Sequence, residues 1–238
     1  SYSLSLYLKH LTVLCCGVLF IMSQFKTFYS KFLQSVLSAK RDIEEIQLIA
    51  VSKKKPASNI IDIINEGHLA FGENQLQEVE SKWIDLRKNY PATRLHFIGS
   101  IQSRKIKSIF NNCDEIHSID RIKIVEEIKK LESETNTQKD YFLQINTGDE
   151  IQKSGIPLSD ADEFINTCIS QYDLKIKGLM CIPPLNDDPR AHFNILKDIG
   201  NNHRLKFLSM GMSNDYDIAI QCGATHIRIG TLIFGSRS

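Results

Sequence analysis

The stretch IQLIAVSKKKP at residues 46–56 joins a short apolar run to a cluster of lysines. Residues 46–51 are almost all apolar, which is typical of a strand buried on both faces in a parallel sheet. The strand must end before Pro56, because proline has no N–H for a sheet ladder and keeps the preceding residue out of helical geometry. Ligand sites in α/β folds lie at the carboxyl ends of such strands. The lysines therefore stand where chemistry is expected.

Two interpretations of these lysines are open. Three lysines can simply solvate a strand end, and this stretch alone favours that interpretation. Lys53 is the alternative candidate because it is nearest to the strand, where partial desolvation lowers the pKa of an amine and makes it a Schiff-base nucleophile. Lys54 and Lys55 are predicted to be solvated.

Composition narrows the class of protein. The chain has 238 residues, 42% hydrophobic and 24% charged, as in an ordinary globular domain, and a net charge of +1 argues against a nucleic-acid binder. Six cysteines form no C-x-x-C pair, so we expect reduced thiols and a cytoplasmic protein. No set of His and Cys residues has zinc spacing, and no metal is predicted.

Residues 1–21 differ from the rest of the chain. The apolar run LTVLCCGVLFI at residues 11–21 is too short for a membrane span, which needs about 20 residues. It fits a signal-peptide core, although no clear cleavage site follows. We favour a third interpretation, in which Met22 is the true start and residues 1–21 are a dispensable extension. Residues 22–238 are then one domain without stable membrane association.

Strand and helix patterns alternate along the rest of the chain. An amphipathic helix at residues 24–39 is predicted to pack under the first strand, and eight strand–helix units follow. The strands are predicted at residues 46–51, 68–72, 94–99, 115–119, 141–146, 174–182, 205–210 and 225–229. Eight units in one domain length predict a (β/α)₈ barrel. A doubly wound open sheet is the alternative, but no G-x-G-x-x-G follows the first strand.

In a barrel the strand ends share one mouth. The residues predicted to collect there are Lys53, Gly72, Glu73, Asn74, Gly99, Ser100, Asn146, Met180, residues 209–213, Arg228, Gly230 and Thr231. The segments LSMGMSND and RIGT bring glycines and hydroxyls after the last two strands, as a phosphate site requires. Opposite a strand-end lysine, they predict a phosphate-bearing aldehyde as ligand, namely pyridoxal phosphate.

These motifs also occur together in a known family. The segments AVSKKKP, FGENQLQE, LHFIGSIQSRK, KSGI, GLMCIPP, LSMGMSND and GATHIRIGTLIFG follow one another in order. From about Gln24 onwards the chain resembles the pyridoxal-phosphate homeostasis proteins, which are similar to the barrel domain of alanine racemase. The resemblance implies a single fold-type-III barrel with an added N-terminal helix.

The resemblance also implies a role for each matching residue. Lys53 matches the lysine that forms the Schiff base with the cofactor, and Arg228 matches the arginine that faces the pyridine nitrogen. Three residues match phosphate-holding positions and two match neighbours of the cofactor: Ser213, Gly230 and Thr231, and Asn74 and Met212. Three residues depart from the family pattern, since Gln75 replaces an aromatic, Ser100 a proline and Arg104 an asparagine. Ser100 and Arg104 are expected to change the shape of the mouth.

Other conspicuous residues are interpreted as structural. His96 and His226 alternate with apolar neighbours and are predicted to be hydrogen-bonded barrel residues rather than bases. Trp83 is predicted to pack in the core.

A carrier of pyridoxal phosphate is favoured over an enzyme. Most enzymes of this cofactor place an acid beside the ring nitrogen, whereas Arg228 cannot accept that proton. No second base is evident, so we expect no catalytic residue and no amino-acid turnover. The resemblance likewise implies a monomeric buffer that passes the cofactor to apo-enzymes. The alternative is a weak racemase or a related amino-acid enzyme.

Overall fold

The computed structural model describes residues 22–235. The predicted extension at residues 1–21, with Cys15 and Cys16, lies outside the described residues. No helix within the described range is long and apolar enough to cross a bilayer.

Parallel strands close into a barrel. The strands of residues 22–235 are β1 (Gln47–Val51), β2 (Ala70–Glu73), β3 (Arg94–Phe97), β4 (Glu115–Ile119), β5 (Asp140–Asn146), β6 (Ile156–Pro157), β7 (Ile176–Cys181), β8 (Phe207–Ser209) and β9 (His226–Ile229). Each pairs in parallel with its neighbour, and β1 pairs with β9 while β4 pairs with β5. Eight of these described strands therefore form a closed ring, and the predicted (β/α)₈ barrel is confirmed.

Helices cover the outside of the ring. In the same part of the chain they are α1 (Gln24–Ser38), α2 (Ala57–Asn65), α3 (Leu76–Glu78), α4 (Ile84–Asn89), α5 (Ile106–Asn112), α6 (Ile122–Thr135), α7 (Ala161–Ser170), α8 (Pro189–Asn202), α9 (Tyr216–Gln221) and α10 (Thr231–Phe234). A π-helical stretch, Val79–Trp83, joins α3 to α4. Most elements match the predicted ones to within a few residues.

The strand β6 was not predicted. It pairs with the carboxyl end of β5, with Ile156 opposite Ile145, and so folds the loop after β5 back against that strand. Gly155 makes this return possible: its φ is +120°, and a Cβ there would lie 2.8 Å from the backbone nitrogen of Asn146. The strand β6 has only two residues, one of which is proline, so it shows no periodic pattern by which a strand could be recognised from the sequence.

Helix α1 lies along the side of the barrel and not beneath the first strand. The side-chain amide of Gln24, at the start of α1, donates to the carbonyls of Thr231 and Leu232. Further along the helix, Phe28 and Phe32 contact the ring of Tyr216. In the described part of the chain, β9 is followed only by the four-residue α10. The apolar outer face near β9 is therefore covered by α1, whose Phe25, Phe28 and Phe32 are buried.

Candidate functional site

A cavity of about 880 Å³ opens at the carboxyl ends of the strands. The seven residues singled out by the resemblance all line it: Lys53, Asn74, Met212, Ser213, Arg228, Gly230 and Thr231. The cavity wall also carries four cationic side chains and two carboxylates, namely Lys53, Lys55, Lys153 and Arg228, and Asp187 and Asp215. This surplus of positive charge favours an anionic ligand.

The lysine loop after β1 is held in a defined shape. Lys53 is half-buried and lines the cavity, whereas Lys54 is exposed and does not line the cavity. Lys54 has a φ of +59°, and its backbone N–H donates to both carboxylate oxygens of Glu78, at 2.9 and 2.8 Å. Because the backbone turns at Lys54, the side chains on either side of it, Lys53 and Lys55, both line the cavity, while the side chain of Lys54 does not.

Two buried charges anchor this loop from below. The ammonium of Lys82 donates to the carbonyls of Ser52 and Lys55, at 2.9 and 3.2 Å. It also pairs with Glu73, 2.7 Å away, and with Glu78, 2.6 Å away. Since Glu73 is fully buried and Lys82 is nearly so, this ion pair connects the interior directly to the backbone that carries Lys53.

Glu73 was predicted to face the mouth, but it lies beneath the lysine loop and does not line the cavity. Its carboxylate accepts hydrogen bonds from the Ser52 hydroxyl, at 2.7 Å, and from the Trp83 indole, at 3.1 Å. Trp83 is in the core as predicted. Both Lys82 and Trp83 belong to the π-helical stretch, a feature that frequently marks functional sites.

The turn after β8 faces the start of α10. Thr231 donates from Oγ1 to the Ser213 Oγ at 3.0 Å, so two hydroxyls meet at one point of the wall. The turn is fixed by Asp215, whose carboxylate accepts from the Met212 N–H at 2.6 Å. Burial raises the pKa of Asp215, and the Met212 N–H and Arg228 act against this rise. Gly211 has a φ of +93°, and a Cβ there would come within 2.5 Å of the Ala219 side chain.

Arg228 is buried at the floor of the cavity. Its guanidinium donates to the Ser209 hydroxyl at 2.7 Å and to the Cys181 carbonyl at 2.8 Å. Burial lowers the pKa of Arg228, and Cys181 and Asp215 partly oppose that change. An arginine keeps its proton even in such surroundings. The floor therefore presents a fixed cationic donor.

Several other strand-end residues are placed differently from the prediction. Gly72, Asn146 and Met180 do not line the cavity, and Asn146 instead holds its own loop by bonding to Glu150. Ser100 lines the cavity, and its hydroxyl lies 2.6 Å from that of Ser154. Arg104 lies outside the cavity wall.

Sequence reasoning assigned no role to other residues of the wall, including Gln144, Lys153, Ser154 and Phe234. The quoted motif KSGI contains two of them, so the signal was present. Glu73 and Glu78 belong to the quoted motif FGENQLQE, but nothing in the sequence indicated that they meet Lys82, because a charged residue on a helix is usually solvated.

Comparison with known proteins defines the class of this barrel. Residues 23–238 match the family model described as alanine racemase, N-terminal domain. The structure of PipY from Synechococcus elongatus PCC7942 without PLP superposes with a TM-score of 0.78 at 31% identity, covering 87% of this chain and 99% of that one. PipY with PLP bound gives a TM-score of 0.75 at 30% identity over the same shares.

A curated relative narrows the class further. The pyridoxal phosphate homeostasis protein of Vibrio alginolyticus is 37% identical over 207 residues, which is 83% of this chain and 89% of that protein. The chain belongs to the alanine racemase N-terminal domain family and, within it, to the pyridoxal phosphate homeostasis proteins. The family predicted from the ordered motifs is confirmed.

Proposed function

We propose that this chain binds pyridoxal 5′-phosphate and serves as a cytoplasmic carrier or buffer of that cofactor. One observation carries the proposal: Lys53, the Ser213–Thr231 hydroxyl pair and the buried Arg228 line the same cavity. The relative from Vibrio is named for pyridoxal phosphate homeostasis, and PipY is a family member of known structure with PLP bound.

The residues present fit the chemistry of the cofactor. The amine of Lys53 suits an aldehyde, and the paired hydroxyls of Ser213 and Thr231, next to Gly230, suit a phosphate. The guanidinium of Arg228 suits a ring nitrogen that accepts a hydrogen bond, and Asn74 and Met212 complete the neighbouring wall. When bound, the cofactor supplies the aldehyde and an electron-withdrawing ring. We propose that Lys53 holds it covalently.

The properties of Arg228 support a carrier in preference to an enzyme. A permanently charged donor leaves the ring nitrogen without a proton of its own, which weakens the ring as an electron sink. The Ser209 hydroxyl and the Cys181 carbonyl accept from the guanidinium and hold it in this position. We accordingly propose a monomeric protein that limits free pyridoxal phosphate and delivers it to apo-enzymes.

The attachment is tested by borohydride reduction of the loaded protein followed by peptide mapping. We expect the pyridoxyl group on Lys53, and loss of the visible absorbance band in Lys53→Ala with an unchanged circular dichroism spectrum. Lys55→Ala is the matched control, since Lys55 lines the same cavity. A pyridoxyl group on Lys55, or an undiminished band in Lys53→Ala, would refute the assignment of Lys53.

The carrier role is tested by mixing the loaded protein with an apo-enzyme that requires the cofactor, in the presence of a scavenger of free aldehyde. A carrier restores activity under these conditions, whereas a protein that only traps pyridoxal phosphate does not. Exchange of the Cα proton of L- and D-amino acids in deuterated water, followed by NMR, examines the racemase alternative. Rapid exchange with any one amino acid would replace the carrier interpretation by an enzymatic one.

A further inference from the structure

A second group of chemically active side chains lies inside the barrel, deeper than Arg228. It consists of His96 on β3, Glu115 and His117 on β4, and His226 on β9. All four are buried, with exposed fractions between 0% and 3%. None of them lines the cavity of the candidate cofactor site, and the proposed function does not use them.

The three atoms nearest to one another form a small triangle. His96 Nδ1 lies 3.2 Å from His117 Nε2, and Glu115 Oε2 lies 3.4 Å from His96 Nδ1 and 3.5 Å from His117 Nε2. Ligand atoms of tetrahedral zinc, about 2.0–2.2 Å from the metal, lie about 3.3–3.6 Å from each other. The triangle therefore has the edge lengths of one face of a zinc coordination tetrahedron.

His226 lies beside this triangle. Its Nε2 is 3.8 Å from Glu115 Oε2, but among the described residues the only group of three that brings its ligand atoms within 4.8 Å of one another is His96, Glu115 and His117. Neither His226 Nε2 nor Glu115 Oε2 has a hydrogen-bond partner, although both atoms are buried. Buried polar atoms are nearly always paired, and leaving them unpaired costs free energy. These two unsatisfied atoms are an observation separate from the triangle itself.

The carboxylate of Glu115 is held so that only one oxygen is available. Its Oε1 accepts from Arg94 at 3.1 Å and from Lys177 at 3.0 Å, which leaves Oε2 facing the imidazoles. Metal binding requires the ionised carboxylate, and the two cations on Oε1 favour that form.

Two of the imidazoles are oriented through Nδ1. His117 Nδ1 lies 2.9 Å from the Ser209 hydroxyl, and His226 Nδ1 lies 2.9 Å from that of Thr225. Metal-binding histidines typically have such a partner on the second nitrogen. The second nitrogen of His96, Nε2, is buried without a hydrogen-bond partner.

We propose that the interior of this barrel is a site for a divalent transition metal, with His96 Nδ1, Glu115 Oε2 and His117 Nε2 as protein ligands and the fourth tetrahedral position open. Two imidazoles and one carboxylate suit zinc. Sequence spacing predicted no zinc site, because the ligands come from two different strands.

The site also reaches Arg228. The Ser209 hydroxyl that contacts His117 accepts from the guanidinium of Arg228 at 2.7 Å. Ser209 is thus a positioning residue for one metal ligand without itself being a ligand. This makes Ser209→Ala an informative variant, since removal of such a partner typically weakens metal binding about 10–100-fold.

The experiment is a zinc titration of the metal-free full-length chain by isothermal calorimetry, repeated with Co²⁺ and followed by visible absorbance; it needs no pyridoxal phosphate. We expect one Zn²⁺ per chain and the intense visible bands of tetrahedral Co²⁺. Glu115→Gln and His117→Gln should weaken binding more than about 100-fold, and Ser209→Ala about 10–100-fold. Zinc should also raise the melting temperature of the unmodified chain.

The control is His203→Asn, which removes an exposed histidine that pairs with Asp162 and is the kind of surface site that holds zinc adventitiously. This variant should bind zinc as the unmodified chain does. If Glu115→Gln fails to fold, Ser209→Ala, which leaves every ligand in place, carries the test. Three results would overturn the proposal: no bound equivalent, loss of binding in His203→Asn, or the weak bands of octahedral Co²⁺.

Discussion

Replacement of Lys82 by methionine tests whether the buried Lys82–Glu73 pair holds the lysine loop in place. Methionine keeps most of the length of the side chain and removes the charge. It also removes the bonds to the carbonyls of Ser52 and Lys55. The carboxylate of Glu73, with none of its side chain exposed, would lose the cation 2.7 Å away.

The expected cost follows from this burial. Removing one partner of a buried ion pair typically costs about 3–5 kcal/mol, because the other charge is left without compensation. In a chain of this size about 1 kcal/mol lowers the melting temperature by 2–4 °C, so Lys82→Met should lower it by about 6–20 °C. The freed loop carries Lys53, so cofactor affinity should fall at least about tenfold.

Urea unfolding followed by circular dichroism measures the free energy of unfolding, and two further variants make the result specific. Glu73→Gln combined with Lys82→Met should recover at least half of the loss, since the neutral amide no longer needs a cation. Lys88→Met removes an exposed ion pair with Asp85 from the same helical region and should cost no more than about 0.5 kcal/mol. A loss below about 1 kcal/mol in Lys82→Met, or no recovery in the double variant, would refute the reasoning.

Three other perturbations have defined outcomes. Ser213→Ala combined with Thr231→Val should weaken pyridoxal phosphate binding about 10–150-fold, as expected for lost hydrogen bonds to a charged group, and fluorescence titration measures it. Gly211→Ala should destabilise the fold by more than about 1 kcal/mol, because φ is +93° and the new methyl meets Ala219; an unchanged melting temperature would contradict this. Burial lowers the pKa of His68 from 6.5 to about 4. As the pH falls, His68 is therefore protonated in the unfolded chain before it is protonated in the folded chain. Its contribution to stability is complete above about pH 6.5 and is lost as the pH falls towards 4. Between about pH 7 and pH 4 the unmodified chain should lose more stability than His68→Gln, and equal losses would exclude this role.

The barrel and the family could both be predicted from the sequence alone. Apolar runs ended by glycine, proline or charge identify buried strands locally, and alternation with helices leaves few architectures. The same local logic placed Lys53 at a strand end, and the structure brings Lys53, Ser213, Arg228 and Thr231 to one cavity. Their roles towards the cofactor remain predictions. The exact ends of the strands, and the short strand β6, were harder to predict from the sequence, because where a strand ends depends on the strand with which it pairs.

The contacts between side chains across the barrel could not be predicted and became visible in the folded chain. Lys82 and Glu73 are ordinary charges in sequence, yet a π-helical stretch and the end of β2 bring them 2.7 Å apart beneath Lys53. His96 and His226 were interpreted as separate barrel residues, and the closed ring places them around one carboxylate oxygen of Glu115. Closure of the ring sets the register between strands that are distant in the chain. Contacts across the barrel depend on that register and are invisible to any pattern within a single strand.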